Sequence, residues 1–374
     1  MARRFLLLAC VLGGVSAATV RAQAPALSAE FQANTYTTSS QYFPKVAANA
    51  SGNFVVVWTS TGQDGFQGGV FGQRYDASGA KQGGEFQVNT YTTGDQSHPS
   101  VAIDVGGNFV VVWQSNNQDA PGQGVFGQRF NSAGVPQGSE FRVNTYTTSS
   151  QYAPSIAMDL TGDFVVVWQS YQDGSGYGIF GQRYDSSGTK QGSEFQINTY
   201  TTGQQTNPSV AMDVDGDFVV AWDGRVAGPG SSAYGGVAAQ LFDSSGAPQG
   251  SEIELEHNSG SRPSVAMDDA GEFTVVWQSL LSNIYGQKFD AAGSPVGGQF
   301  QANQKDNYAN STPGISRDAT GSFIVVWTDS GNVAGQRFDA SGGFEGSEFQ
   351  LNTYTSSHSH PSIAVAGPSN FVAA

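Results

Sequence analysis

Three pairs of neighbouring glutamine and aspartate side chains could bind a polar ligand. An amide beside a carboxylate offers hydrogen-bond donors and acceptors together, as sugar hydroxyls or protein groups require. A fourth loop replaces the pair with a longer segment that carries an acid, a base and a tyrosine. The sequence therefore predicts a ligand-binding surface formed by Gln63, Asp64, Gln118, Asp119, Gln172, Asp173, Asp223, Arg225 and Tyr234. The alternative is that these loops are solvated turns.

A second group of side chains could bind a metal ion. Asp213, Asp215 and Asp217 alternate along five residues, and calcium prefers clustered oxygen ligands. Equivalent positions elsewhere in the chain hold fewer acids. An Asp-x-x-Gly segment also forms a turn in which the aspartate binds its own backbone. Calcium is thus a possible cofactor, with a simple turn as the alternative.

Candidate catalytic residues are scarce. The chain has four histidines, of which His98 and His360 precede equivalent prolines. No Gly-x-Ser-x-Gly elbow, His-Glu-x-x-His motif or phosphate-binding loop occurs. We therefore name no catalytic residue and favour a protein without enzymatic activity. A hydrolase or lyase acting on polysaccharide remains an alternative, although a glycosidase would need two carboxyl groups at a fixed separation.

These side chains belong to a repeated unit. The run Phe54-Val55-Val56-Val57-Trp58 recurs five times, and a clipped copy begins at Phe371. The leading phenylalanines are spaced by 55, 55, 54, 55, 50 and 48 residues. A fixed period of this size indicates one supersecondary unit stacked many times.

Each repeat contains four strands, which we term A to D. In the second repeat, strand A begins at Pro99, and strand B is Phe109 to Trp113. Strand C begins at Val125, and strand D is Glu140 to Asn144. Strand B is apolar on both faces and must be covered on both sides, whereas strand D alternates and should be half exposed. Four antiparallel strands repeated around a ring predict an all-β protein, a seven-bladed β-propeller.

Counting the strands indicates how the ring closes. Strands of types A, B and D each occur seven times, but type C occurs six times. The first ordered strand, at Glu30, is of type D, and the last strands are of types A and B. We therefore expect an incomplete last blade that the N-terminal strand closes, which protects its edges.

The segment from strand A to strand B resembles a known repeat. Pro208-Ser209-Val210-Ala211-Met212-Asp213-Val214-Asp215-Gly216-Asp217-Phe218 is similar to NHL-type and related bacterial β-propeller repeats. This sequence departs from them by a tryptophan at the end of strand B and by the Glu-Phe-Gln-Val-Asn strand. The resemblance implies the propeller fold and no particular ligand.

The N-terminus predicts export. Arg3 and Arg4 precede an apolar stretch and small residues, which is typical of a secretory signal cleaved after Ala22. The predicted organisation is a signal peptide over 1–22, a short linker over 23–29 and one propeller domain over 30–374. The protein is then periplasmic or extracellular, and Cys10, its one cysteine, is removed with the signal.

Charge limits the class of partner. The net charge is -15, and cleavage removes three arginines and no acid, which makes it -18. Such a chain lacks the cations that displace counterions from phosphate backbones, so we expect no nucleic-acid partner. No apolar run is long enough to predict a membrane span, and the sequence leaves the oligomeric state open.

The functional prediction rests on the loops, which vary from repeat to repeat while the strands stay constant. In a propeller the D–A and B–C connections share one face, and here they are the long, variable ones. We expect a secreted binding module that recognises a glycan, polymer or protein through that face; a structural or adhesion repeat from a longer array is a further alternative. The six tryptophans should form the core between blades, with a sugar-stacking platform as the alternative.

Overall fold

The computed structural model describes residues 6–10, 30–118, 122–224, 235–256, 260–305, 310–353, 359–366 and 370–374. Every regular element in these ranges is a β-strand, and all strand pairs are antiparallel. None of the described residues belongs to a helix that could span a membrane. The all-β prediction is confirmed.

The two N-terminal strands are β1 (Leu6–Cys10) and β2 (Glu30–Gln32). Six blades of four consecutive strands follow. They are β3 (Gln41–Ala48), β4 (Phe54–Thr61), β5 (Gly68–Tyr75) and β6 (Phe86–Gln87); β7 (Gln96–Ile103), β8 (Phe109–Asn116), β9 (Gln123–Phe130) and β10 (Phe141–Arg142); β11 (Gln151–Met158), β12 (Phe164–Ser170), β13 (Gly178–Tyr184) and β14 (Lys190–Gln196); β15 (Gln205–Met212), β16 (Phe218–Gly224), β17 (Gly236–Phe242) and β18 (Pro248–Glu256); β19 (Ser261–Met267), β20 (Phe273–Gln278), β21 (Ile284–Phe289) and β22 (Pro295–Gln301); and β23 (Asn310–Arg317), β24 (Phe323–Asp329), β25 (Asn332–Phe338) and β26 (Phe344–Gln350). The chain ends with β27 (Ile363–Val365) and β28 (Phe371–Ala373).

The prediction of seven blades is wrong, because the structure has six complete blades. The remaining strands come from both chain ends and form a smaller sheet in the order β2-β1-β28-β27, here called the terminal sheet. Its strands span only three to five residues. The regular spacing of the aromatic runs shows how many repeats the sequence contains. It does not show whether a repeat forms a full blade or contributes strands to a sheet that two distant segments share.

The terminal sheet also differs from the predicted closure. Strand β2 was expected to complete the last blade, but it pairs with β1, and β1 pairs with β28. Strand β1 therefore occupies the place of the type C strand that the sequence count lacked. Because β1 lies within the predicted signal peptide, a chain cleaved after Ala22 would lack this strand. The signal peptide itself stays a prediction.

Circular closure is visible in the contacts between the innermost strands. Strands β3, β7, β11, β15, β19, β23 and β27 each contact the next, and β27 contacts β3. Hydrogen bonds cross the seam, where the Val46 N–H donates to Ser362 Oγ over 3.2 Å. At the outer rim, Thr353 Oγ1 donates to Glu30 Oε2 over 2.7 Å. The blades therefore surround a central axis as in a β-propeller.

The core lies between the blades, as the two-faced pattern of strand B predicts. Trp168 is fully buried and belongs to the same core cluster as Val110, Val112 and Val125 of the preceding blade. All six tryptophans are at most 1% exposed. They cannot serve as a sugar-stacking platform, so the core interpretation is confirmed.

Polar contacts at the A–B and C–D turns also join the blades. The guanidinium of Arg74 on strand C donates to the Ser132 carbonyl of the next blade over 2.6 Å. Arg129 reaches the Ser186 carbonyl in the same way over 2.7 Å. The Gln-Arg pairs of strand C are therefore scaffold.

Candidate functional site

The inner strand of each complete blade contains a proline, and Pro361 precedes inner strand β27; the residue before each of these prolines has unusual backbone geometry. These seven residues have φ angles between 49° and 60°, in the left-handed region. We call them the bulge residues: Phe43, His98, Ala153, Asn207, Arg262, Thr312 and His360. In the six complete blades, the pairing register between strands A and B shifts at this point. Such a bulge re-aims a side chain away from the regular alternation of a strand.

The left-handed backbone of the bulge residues lowers the stability of the folded protein, so we expect this geometry to serve a function. A left-handed φ is uncommon for any residue with a side chain, and especially for the β-branched Thr312. A following proline further restricts the backbone of the residue before it. Each such residue costs on the order of 1–3 kcal/mol, and strained positions cluster at functional sites. Seven strained residues at one level of the ring point to a site at the axis.

The bulge residues and the residues that follow them line a central pocket of about 410 Å³. Its volume falls in the range of ligand-binding cavities, roughly 300–1,000 Å³. Six of the bulge residues are the second or third residues of their strands, and His360 precedes β27, so all seven lie near the D–A connections. The pocket therefore lies toward the face predicted to bind ligand, but at its centre.

The bulge positions vary in chemistry while their backbone stays constant. Around the pocket they present an aromatic ring, two imidazoles, a guanidinium, an amide, a hydroxyl and a methyl group. The prolines that follow them are the same in all seven units. A constant backbone with variable side chains is the arrangement expected of a specific binding site.

Lys45 breaks a second pattern in the same pocket. Five of the seven units have serine after the proline, and these serines can bind the neighbouring inner strand. Ser155 Oγ accepts the Val210 N–H over 3.4 Å, and Ser209 Oγ accepts the Val265 N–H over 3.2 Å. Lys45 replaces the serine in the first blade with a cation that lines the pocket. Because a lysine occurs at this position in one blade alone, the shared scaffold does not explain it.

Aromatic and imidazole rings form a continuous arc beside Lys45. The Phe43 and His98 ring centroids lie 3.8 Å apart with an interplanar angle of 30°. His360 meets Phe43 edge-on from the other side, with 5.0 Å between centroids. The two histidines that the sequence placed two units apart thus flank one phenylalanine.

The electrostatics of the pocket favour the uncharged form of its bases. Burial, together with the charges of His360 and Lys45, lowers the pKa of His98 to about 4. Burial lowers the pKa of His360 as well, and Arg262 and Lys45 add to this effect. The surrounding protein also lowers the pKa of Lys45 through desolvation, although water reaches this side chain. Lys45 and Arg262 therefore line a pocket in which none of the described lining residues is an acid.

A buried carboxylate supports one side of the pocket. Asp223 accepts hydrogen bonds from Thr206 Oγ1 over 2.6 Å, from Asn207 Nδ2 and from the Arg262 N–H over 2.6 Å. Burial raises the pKa of Asp223, an effect that these hydrogen bonds oppose. Asp223 was predicted to bind ligand directly, and the structure places it behind the pocket, where it positions two bulge residues.

The predicted glutamines lie elsewhere, at the outer rim. Gln172 Nε2 donates to Glu194 Oε1 over 2.8 Å. The other carboxylate oxygen, Oε2, accepts Thr145 N–H and Oγ1 from the preceding blade over 2.6 and 2.8 Å. Gln63 and Gln118 make the equivalent contacts with Glu85 and Glu140. We call this arrangement the rim latch; the contacts of these glutamines are scaffold contacts between strands and blades.

We expect Gln172→Ala to lower the free energy of unfolding by about 1 kcal/mol, because one hydrogen bond to a carboxylate is lost. Chemical denaturation monitored by circular dichroism measures the change. Gln137→Ala is the matched control, since Gln137 binds only the carbonyls of its neighbours Val135 and Pro136. Equal stability of the two variants would contradict the latch.

The remaining predicted ligand residues divide into two groups. Asp64 Oδ1 accepts the Phe66 N–H, and Asp173 Oδ1 accepts the Ser175 N–H, as in ordinary Asx turns. Neither residue lines the central pocket. The other three, Asp119, Arg225 and Tyr234, lie outside the described residues.

The predicted calcium ligands form a turn. Asp213 Oδ1 accepts the N–H groups of Asp215 and Asp217, both over 3.0 Å, and Asp217 Oδ1 accepts the Ser244 N–H. Within the described ranges no group of three acidic, histidine or cysteine side chains is arranged to hold a metal ion. The geometry matches the Asx turn that was the alternative, and calcium remains an untested prediction.

Sequence reasoning missed five pocket residues, Phe43, Lys45, Asn207, Arg262 and Thr312. The signal was present, because the residue before the proline varies in an otherwise constant motif and Lys45 replaces the serine that follows the proline in five other units. Loops vary in any repeat protein, so the variation among these repeats indicated the rim as readily as these positions next to the prolines.

Comparisons with known proteins agree with the fold. No model of a known protein family matches the sequence, and no curated protein matches it. A protein of unknown function from Dyadobacter fermentans aligns with a TM-score of 0.52 and 11% identity, covering 81% of this chain and 92% of that one. An α-L-arabinanase from Penicillium chrysogenum, complexed with arabinobiose, aligns with a TM-score of 0.56 and 12% identity, covering 80% and 93%.

A lectin from Aleuria aurantia, described as a six-bladed β-propeller, aligns with a TM-score of 0.47 and 11% identity over 83% of this chain and 96% of that one. That score is too low to support an argument, and identities near 11% show the fold alone. The blades and their circular order define the chain as a β-propeller. Its kinship with NHL-type repeats stays a prediction.

Proposed function

We propose that the protein is a secreted binding module without enzymatic activity, which recognises a glycan in the central pocket of its propeller. The observation that carries this proposal is the ring of seven strained bulge residues, whose side chains differ while their backbone is constant. Strain held at one level of a closed ring is consistent with a preformed site. The partner thus enters from the face of the D–A and B–C connections.

The chemistry of the residues that line the pocket supports a binding function over glycoside hydrolysis. Hydrolysis by the usual mechanism requires two carboxyl groups on either side of the scissile bond. Among the described residues that line the pocket, none is an aspartate or glutamate. The nearby Asp223 is held behind Asn207 and Arg262 by four hydrogen bonds.

A glycan array probed with the purified protein tests the proposal. We expect binding to a defined set of glycans, loss of that binding in a Phe43→Ala/Asn207→Ala variant, and no product release on incubation. Alanine fits the strained backbone, because Ala153 occupies the same position in the third blade with a φ of 49°. The matched control is Asp64→Ala/Asp173→Ala at the rim, which should bind as the wild type does.

Three results would overturn the proposal. One is the absence of binding to any glycan on the array. The second is full binding by the pocket variant together with loss in the rim variant. The third is turnover of the bound glycan.

A further inference from the structure

We infer that the central pocket binds the carboxylate of an acidic sugar, so that the ligand is a saccharide containing uronic acid. This inference rests on the proposed function and narrows it to one substrate class. It follows from the charge, the geometry and the polar side chains of the pocket.

The first argument is unbalanced positive charge. Lys45, Arg262 and two histidines line one pocket in a chain whose net charge is -15. Within the part of the chain that the structure describes, neither Lys45 nor Arg262 takes part in an ion pair with a carboxylate. The carboxylate of Asp223 interacts with the charge of Arg262 from behind the pocket, whereas none of the described lining residues supplies a carboxylate to Lys45, so an anionic ligand would stabilise the cations that line the pocket.

The second argument is the geometry of Arg262. Its backbone N–H is bound by Asp223, so the base of the side chain is fixed at the pocket wall. The planar guanidinium can donate two parallel hydrogen bonds to a carboxylate. Its charge also reaches His360, which precedes strand β27 of the terminal sheet.

The third argument concerns the rest of the ligand. Asn207 uses its Nδ2 atom for Asp223, which leaves its carbonyl oxygen as an acceptor for a hydroxyl group. Thr312 adds a hydroxyl, and Phe43 adds an apolar ring. These groups suit a sugar ring better than a bare inorganic anion.

The inference predicts that the protein takes up protons when it binds the acidic saccharide. The groups that face His98 are Phe43, His360 and Lys45, with Ser97 Oγ at 3.3 Å from its Nδ1 atom. A bound carboxylate favours the charged imidazole and raises the pKa of His98 from about 4. Affinity should then increase as the pH falls from 7 to 5, because the complex binds protons that the free protein does not.

Isothermal titration calorimetry with a tri-galacturonic acid tests the inference, and the fully methyl-esterified trimer is the neutral control. We expect the acid to bind about 10- to 100-fold more tightly than the ester, because hydrogen bonds between charged partners are lost in the ester. The acid should bind roughly tenfold more tightly at pH 5 than at pH 7, and this dependence should be much weaker in His98→Asn.

Two matched variants keep the test independent of folding. Lys45→Ser introduces the residue that five other units have at this position, and Arg262→Ala introduces the bulge residue of the third blade. Both should fold and should lose the preference for the acid. Lys305→Gln removes an exposed cation remote from the pocket and should keep that preference.

The possible outcomes separate the inference from the proposed function. Equal affinity for acid and ester would overturn the inference and leave a neutral glycan as the ligand. Inorganic phosphate that binds as tightly as the trimer would overturn the saccharide part. Binding of neither trimer, although the array identifies a glycan ligand, would overturn the inference alone.

Discussion

Replacing Trp168 by alanine is expected to lower the free energy of unfolding by about 3–5 kcal/mol, the usual cost of truncating a large buried aromatic residue. Trp168 is fully buried between the second and third blades, in one core cluster with Val110, Val112 and Val143. The substitution opens a cavity at an interface between stacked strands, and these strands cannot readily move together to fill it. Chemical denaturation followed by far-ultraviolet circular dichroism measures the change.

Phe66→Ala is the control for that measurement. Phe66 is 51% exposed in a B–C loop, so its truncation should change the stability by less than about 0.5 kcal/mol. A cost below about 1 kcal/mol for Trp168→Ala would mean that this tryptophan is not part of the core. The packing account of the blades would then be wrong.

Acidification is expected to destabilise the protein through His98. The pKa of His98 is about 4 in the folded state and 6.5 in the unfolded state. Between these pH values the unfolded chain therefore binds a proton that the folded chain does not bind. Above pH 6.5 neither state is protonated, and below pH 4 both are. Stability is therefore lost between these limits as the pH falls, and the gap corresponds to about 3 kcal/mol.

Denaturation curves of the wild type and His98→Asn at a series of pH values isolate this contribution. Asparagine remains neutral and tolerates the left-handed backbone, as Asn207 does in the fourth blade with a φ of 51°. The difference in stability between the two proteins should shift in favour of the variant from pH 6.5 to pH 4. A constant difference across this range would show that His98 titrates normally and is open to solvent.

Much of the scaffold could be predicted from local patterns. The run from Phe109 to Trp113 is apolar on both faces, and this property alone places it between two other layers. Asp-x-x-Gly segments such as the one at Asp213 predict turns because the aspartate binds its own backbone. These features depend on neighbouring residues, so one sequence is enough to identify them.

Closure and the site depend on distant residues, which local patterns do not relate. The sequence offered seven similar repeats but could not show that β1 separates β2 from β28. It also could not show that Phe43, His98 and His360 meet, since the ring brings residues 43 and 360 together. The contact of Gln63 with Glu85, 22 residues further along the chain, could not be predicted in this way either.

A crystal structure of the protein with bound tri-galacturonic acid is the most direct measurement. We predict that one sugar carboxylate lies between Arg262 and Lys45, with the sugar ring beside Phe43 and Asn207. Ligand density at the outer rim, beside Gln172 or Asp64, with an empty axial pocket would contradict the account.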